Sequence, residues 1–197
     1  MVKRLGRWLG RGTLAGAMAL SLVVAVAAPA NATTLTILTD DFETPANRSN
    51  WQFSNSGSDG WGQFDYPSPA HSGSVFGELF APWYDAGGWT SMSRTLTRAW
   101  WAGNSCNVFV WLASRDNATV NVEVIDPNTW TYMALKTVTV QTETRAEPLH
   151  YIQVMTPAFT PNPSSFVFRV SVVNTDGDYS RRVLVDDVKY TCASIRG

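Results

Sequence analysis

Two adjacent aspartates interrupt an otherwise apolar run near the end of the chain. The stretch "VLVDDVKYT" (183–191) has the composition of a β-strand, with Asp186 and Asp187 in its middle. Because successive strand residues point to opposite faces, one of the two carboxylates is expected to point toward the interior. A buried carboxylate needs a partner, and the neighbouring basic residues of the strand are interpreted as solvated. The partner is therefore expected from another part of the chain.

Aromatic residues are concentrated in stretches that read as loops. The sequence contains nine tryptophans, and several lie within "SNSGSDGWGQFDYPSPAHSG" (54–73) and "APWYDAGGW" (81–89). Flat aromatic faces can stack on sugar rings while nearby polar side chains bond the hydroxyl groups. The alternative is that these rings cap the ends of the fold. The candidate ligand-binding residues are Trp61, Tyr66, Trp83, Tyr84, Trp89 and Trp130.

Catalytic chemistry has little support in the sequence. The two histidines, His71 and His150, are far apart along the chain, and Ser72 and Ser74 lie outside any nucleophile-elbow motif. Acid pairs such as Asp59 with Asp65 could serve a glycosidase, but they are interpreted as solvated turn residues. No catalytic residue is predicted.

The elements that must position these side chains are all strands. Short runs of β-branched and aromatic residues recur between turn-forming clusters, and no convincing helical periodicity appears. This pattern predicts an all-β fold, either a two-sheet antiparallel sandwich or a barrel. Only 54–73 has no clear strand, which favours a functional loop. The predicted strands are 35–43, 73–81, 89–97, 106–114, 119–126, 132–140, 149–157, 165–173 and 182–190.

Five features in a fixed order resemble a known family. They are "DDFE" (40–43), Trp51, "HSGSVFGELF" (71–80), "WTSMSRTLT" (89–97) and the closing "VLVDDVKYT". This order is similar to the galactose-binding-like jelly rolls that include carbohydrate-binding modules of families four and nine. The Asn-Gly that usually precedes Asp-Phe-Glu in that family is replaced here by Thr-Asp, while Asp-Phe-Glu itself is intact. The resemblance implies a jelly-roll β-sandwich over the mature chain.

The resemblance also implies that the first and last strands lie side by side, with a structural calcium ion held between them. Carried over by residue, it makes Glu43 and Asp186 the carboxylate ligands, with backbone carbonyls near 70–73 completing the shell. Asp187 takes the place of Asp186 if the strand register is shifted by one residue. Calcium binds six to eight oxygens and tolerates irregular geometry. The alternative is a pair of solvent-facing aspartates that protect a sheet edge.

The first 32 residues have the organisation of a secretory signal peptide. A basic segment is followed by the apolar stretch "LAGAMALSLVVAVAAPA" and by "ANA" (30–32), a small-x-small cleavage site. The alternative, a retained membrane anchor, is disfavoured because the run is short and rich in alanine. Cleavage after Ala32 would leave 33–197 as one domain, secreted and without a membrane segment.

Charge argues against nucleic acid as a partner. The full chain has a formal charge of −1, and loss of the four basic residues in the signal segment would change it to about −5. No basic patch offsets this mildly acidic balance.

The two cysteines, Cys106 and Cys192, are expected to form a disulfide in an exported protein. The bond would close a loop of roughly 90 residues and stabilise the fold by about 4 kcal/mol on a chain-entropy basis. The alternative is a pair of free thiols.

Taken with the resemblance, these features predict a secreted, calcium-stabilised domain that binds a polysaccharide or cell-surface glycan without catalytic activity. One alternative is a small extracellular polysaccharide hydrolase or lyase on the same scaffold. A second is a cell-surface structural or adhesive protein. The oligomeric state is not predicted.

Overall fold

The computed structural model describes residues 34–57, 59–66, 70–84, 86–98, 103–141, 150–161, 165–175, 177 and 179–193. The chain divides into residues 1–30 and 31–197, and all described residues belong to the second unit. The predicted signal peptide and its cleavage site therefore lie outside the described residues. Within the described ranges, no helix is long and apolar enough to cross a membrane.

The described chain is almost entirely strand, as the sequence predicts. Its one helical segment is the single turn α1 (Pro45–Arg48). The strands are β1 (Thr34–Asp40), β2 (Gln52–Asn55), β3 (Trp61–Asp65), β4 (Phe76–Ala81), β5 (Trp89–Thr97), β6 (Ser105–Ser114), β7 (Ala118–Ile125), β8 (Tyr132–Val140), β9 (Ile152–Met155), β10 (Ser165–Val173) and β11 (Arg181–Ala193).

The strands form two antiparallel sheets. The six-stranded sheet has the order β3-β4-β11-β6-β9, with β1 paired to β11 as its sixth strand. The five-stranded sheet has the order β2-β5-β10-β7-β8. β11 is long enough for its first half to pair with β4 and its second half with β1, while β6 pairs with it on the other side. This arrangement confirms the predicted antiparallel sandwich. It also confirms that the first and last strands lie side by side.

Alternation along the strands builds the core between the two sheets. On β7 the inward positions are an alanine and three valines, and on β10 they are Phe and Val, which suits a pleated surface buried on one side. The same alternation leaves polar side chains on the outer face of the five-stranded sheet. The largest buried side chains of this core include Phe42, Leu79, Met92, Leu112, Phe166, Phe168 and Tyr190.

One buried ion pair lies within this core. Asp40, at the end of β1, is fully buried and pairs with the Arg94 guanidinium. The Trp51 indole N–H also donates to Asp40 at 2.7 Å. These partners replace the water that the carboxylate loses on burial. The opening "DDFE" segment thus anchors β1 to the opposite sheet through Asp40.

The segment 54–73 differs from the sequence prediction. It was expected to lack strands, yet it contains the end of β2 and the whole of β3. The glycine and the polar residues of β3 gave it no strand pattern in the sequence, although Gly62 is required for its packing. A Cβ on Gly62 would lie 2.3 Å from the Phe53 ring, so only glycine allows the two strands to approach.

The predicted disulfide is confirmed. Cys106 at the start of β6 is directly opposite Cys192 near the end of β11, with their Cα atoms 4.0 Å apart. Both cysteines are buried in the core. The bond therefore fastens the last strand to its neighbour across a sequence separation of 86 residues.

Candidate functional site

The partner of Asp186 is the backbone of a distant loop. Asp186 is fully buried, and its Oδ2 accepts the amide N–H groups of His71 at 2.8 Å and Ser72 at 3.1 Å. Its Oδ1 accepts the amide of Asp187 at 2.8 Å. No lysine or arginine forms an ion pair with Asp186 in the described part of the chain. Burial raises the pKa of Asp186 to about 7, against the opposing effect of the amide donors.

Glu43 is held by the next residues of the same loop. Its Oε1 accepts the amides of Ser74 and Val75, each at 2.8 Å, and its Oε2 accepts the Ser74 hydroxyl at 3.1 Å. These backbone hydrogen bonds lower the pKa of Glu43 because they favour its ionised form. The loop 71–75 therefore connects the end of β1 to the middle of β11.

Asp187 completes this region on the outer face of the six-stranded sheet. It has a φ of 45°, next to an irregularity in the pairing of β11 with β6. Its carboxylate contacts His71 Nδ1 at 2.5 Å and accepts the Ser72 hydroxyl at 2.8 Å. The His71 ring stacks on Trp111, with ring centroids 3.9 Å apart. The structure thus brings both aspartates to one loop, each with its own contacts.

The three acids contact N–H and O–H groups in their present arrangement. Their carboxylates are the oxygen ligands that calcium prefers, but every carboxylate oxygen of the set already has a hydrogen-bonding partner from the loop or from Asp187 itself. Among the described residues, no three His, Cys, Asp or Glu side chains group as a metal site. A calcium shell at this place would also need oxygen ligands from the loop, so the calcium site stays a prediction.

A groove lies elsewhere, on the outer face of the five-stranded sheet. It occupies about 240 Å³ between β5, β10, β7 and the start of β8. Trp89 lines one end, where β5 begins opposite the last residue of β10. Tyr132 lines the other, since β8 begins beside the end of β7. The residues lining it are Trp89, Asn121, Glu123, Tyr132, Arg169, Ser171 and Val173.

Glu123 organises the polar centre of this groove. Its carboxylate is buried and forms a salt bridge with the Arg169 side chain through Nε. It also accepts the hydroxyls of Ser171 at 3.2 Å and Tyr132 at 3.4 Å. The Arg169 guanidinium lies 6.0 Å from the centre of the Trp89 ring, a cation–π distance. The groove therefore combines aromatic surfaces with a fixed set of hydrogen-bonding groups and no net charge from this pair.

The sequence-predicted aromatic residues do not form one cluster. Trp89 lines the groove, while Trp61 lies on the other sheet, stacked on Phe80 at 5.3 Å beneath the Arg182 guanidinium. Trp83 and Tyr84 follow β4 and lie at the same end of the sandwich as Trp61 and Trp89. Tyr66 and Trp130 lie toward the opposite end, after β3 and β7, and both are exposed. Whether any of these residues contacts a ligand stays a prediction.

Sequence reasoning missed most of the groove. Asn121, Glu123, Arg169 and Ser171 occupy alternate positions of β7 and β10, between buried apolar residues. Polar residues at alternate positions are typical of any solvent-facing sheet surface, so they carry no signal of a site by themselves. The pairing of Glu123 with Arg169 depends on the register of β7 against β10, which the sequence does not show.

Comparison with known proteins identifies the fold. No family model matches the chain, and no curated protein matches it. The xylan-binding domain CBM22-1 of Paenibacillus barcinonensis Xyn10C is similar in structure, with a TM-score of 0.57 and 14% identity over 85% of this chain and 100% of that one. TmCBM61, solved with β-1,4-galactotriose, has a TM-score of 0.52 and 14% identity over 72% of this chain and 88% of that one.

A larger neighbour shares only part of its length with this protein. The Clostridium thermocellum xylanase Xyn10B fragment, solved with xylohexaose, has a TM-score of 0.52 and 13% identity. The match covers 82% of this chain but 29% of that one. At these identities the comparisons show the fold, which is the jelly roll of carbohydrate-binding modules. The resemblance inferred from sequence is confirmed at that level, through families 22 and 61 rather than four and nine.

Proposed function

We propose that this protein is a secreted, non-catalytic domain that binds a polysaccharide in the groove of the five-stranded sheet. The observation that carries the proposal is the groove itself, where the Trp89 ring lies beside a hydrogen-bonded Glu123–Arg169 pair. Its shared fold with modules whose ligands are oligo- and polysaccharides adds support.

Each group of the groove has a task in this proposal. The Trp89 ring stacks on the face of a pyranose, whose C–H groups are apolar. Arg169 binds Glu123 through Nε, and its terminal nitrogens donate to sugar hydroxyls. Asn121 and Ser171 supply further polar contacts along the chain. Because the charges of Arg169 and Glu123 offset each other, we propose a neutral polysaccharide, whose binding depends little on salt.

The test is binding of the mature domain to soluble xylan, β-1,4-galactan and mixed-linkage glucan, followed by calorimetry on the polymer that binds. Trp89→Ala should weaken binding at least tenfold, or about 1.4 kcal/mol. Trp61→Ala is the matched control, because it removes the same ring from the other sheet. If Trp61→Ala abolishes binding and Trp89→Ala does not, the groove is the wrong site.

We also propose that calcium stabilises the fold and that the chain is exported. For calcium, the loop 71–75 would turn carbonyl oxygens toward Glu43 and Asp186. Melting curves of the mature domain in calcium and in excess chelator test this, since a bound ion raises the melting temperature by mass action. Equal melting temperatures would remove the calcium proposal. For export, the intact mass of protein secreted by the native host should correspond to a chain beginning at Thr33.

One observation favours the alternative of a hydrolase or lyase. His71 contacts Asp187 at 2.5 Å and lies beside Tyr151, with ring centroids 5.4 Å apart. However, the Ser72 hydroxyl bonds to Asp187 rather than to His71, so no serine–histidine relay is formed. We therefore assign this cluster a structural role. Depolymerisation of a bound polysaccharide that is lost in His71→Ala would reverse this assignment, and binding to a protein but to no glycan would favour the adhesive alternative.

A further inference from the structure

Three exposed aromatic rings project from two neighbouring connections at one end of the sandwich. Trp83 and Tyr84 lie between β4 and β5 and are 56% and 55% exposed. Tyr179 lies between β10 and β11 and is 70% exposed. Exposed apolar side chains that are grouped in a patch, unlike singly scattered ones, mark interaction surfaces. We refer to Trp83, Tyr84 and Tyr179 as the aromatic tip.

A buried asparagine fixes the two connections to each other. Asn174 is fully buried, and its Nδ2 donates to the carbonyls of Pro82 at 2.6 Å and Trp83 at 3.3 Å. Its Oδ1 accepts the amide of Gly177 at 3.2 Å. Its backbone bonds Gly88 and Gly87 at 2.9 and 2.7 Å. One side chain thus bonds both connections, and its own backbone adds two further bonds between them.

The orientation of the rings is also supported. Trp83 and Tyr84 pack edge to face, with centroids 5.6 Å apart. The Arg181 guanidinium lies 5.8 Å from the centre of the Tyr179 ring. Rings held before a ligand arrives lose less entropy on binding. The tip therefore has the preorganisation expected of a binding surface.

The connections that carry the tip begin at one end of the groove. Trp89 and Val173, which line the groove, are paired across β5 and β10. The next residues outward, Gly88 and Asn174, are bonded to each other and belong to the connections that carry the tip. Trp83 lies six positions before Trp89, so their Cα atoms are at most about 22 Å apart. The connections that carry the tip therefore start at the end of the groove that Trp89 lines.

We propose that the aromatic tip is a second sugar-contacting surface, which binds the part of a polysaccharide that extends beyond the groove. This inference rests on the proposed function and adds a dependence on ligand length. Rings with polar edges suit the alternating apolar and hydroxylated surface of a pyranose chain. A short oligosaccharide fills the groove alone, whereas a polymer also gains the contacts of the tip as an intramolecular second step.

The experiment compares the polymer with its trisaccharide on the full mature domain. Trp83→Ala/Tyr84→Ala and Tyr179→Ala should each weaken polymer binding by roughly tenfold and leave trisaccharide binding within about twofold. Tyr66→Ala is the control, because Tyr66 is equally exposed but lies at the opposite end of the sandwich. All variants should melt like the parent, because the replaced rings are exposed.

The outcomes separate this inference from the proposed function. If Trp89→Ala weakens binding while the tip variants bind the polymer like the parent, the tip is not a sugar surface and the groove proposal stands. If the tip variants lose trisaccharide and polymer affinity equally, the tip is the primary site and an extension of the groove is excluded. If the parent binds no glycan at all, both proposals fail.

Discussion

The Glu123–Arg169 pair makes a prediction that depends on the difference in burial between its two partners. The Glu123 side chain is 3% exposed, whereas that of Arg169 is 25% exposed. Glu123 is further bonded by Ser171 and Tyr132, but Arg169 is its only cationic partner among the described residues. We therefore expect Arg169→Met to destabilise the domain more than Glu123→Gln.

The expected loss in the free energy of unfolding depends on which of the two charges remains after the substitution. Arg169→Met leaves a buried carboxylate with only hydroxyl donors, and an uncompensated buried charge costs about 3–5 kcal/mol. The remaining hydroxyls place the expected loss near the lower end, at about 3 kcal/mol. Glu123→Gln leaves a guanidinium that can turn to water, so the loss should be about 1 kcal/mol, close to one hydrogen bond. The double variant leaves no charge and should lose less than the sum.

Denaturant unfolding of the four proteins measures these differences directly. Arg169→Met should also lower the melting temperature by roughly 6–12 °C for a domain of this size. Combining Arg169→Met with Arg182→Met, on the other sheet, should give an additive loss and serves as the control. A coupling energy below about 0.5 kcal/mol between Glu123 and Arg169, or a larger loss in Glu123→Gln, would refute the reasoning from burial.

Three further substitutions test the contacts that hold the last strand and the loop 71–75 in place. Cys106→Ala/Cys192→Ala should lower the free energy of unfolding by about 4–5 kcal/mol for an 86-residue separation, and an unchanged denaturation midpoint would contradict this. Gly73→Ala should lower the free energy of unfolding in urea by about 1–3 kcal/mol, because φ is 61° and the added Cβ would lie 2.3 Å from Glu43 Oε1. Gly87→Ala is the control: φ is 85° but the space around it is open, so the loss should be only about 1 kcal/mol. Because the pKa of Glu43 is lowered in the folded state, its contribution to stability is present above about pH 4.5 and is lost as the pH falls through the folded pKa. In chelator, the free energy of unfolding of Glu43→Gln should therefore depend less on pH in the acid range than that of the parent.

The amino-acid sequence was sufficient to predict the fold class and several contacts within it. Alternating apolar residues in β7 and β10 specify strands buried on one face, because the side-chain period of a strand is two. The first and last strands were correctly expected as neighbours through the family resemblance. Two cysteines in a chain with a predicted export signal were sufficient to predict the disulfide. β3 was not predicted, because Gly62 and the polar residues of this segment lack strand propensity. Packing of Gly62 against Phe53 stabilises the strand instead.

How the chemical groups come together depends on contacts between residues that are far apart in the sequence. The resemblance placed Asp186 near residues 70–73 but implied carbonyl ligands of a calcium ion, whereas the backbone amides of His71 and Ser72 bond to Asp186 across 115 and 114 positions. The sequence also gives no sign that Glu123 and Arg169 meet, because register between strands is fixed by turns and packing across the whole sheet. The sequence could nominate aromatic residues but could not assign them to a surface. Trp61 and Trp89 lie at the same end of the sandwich, and the pairing of their strands places them on different sheets.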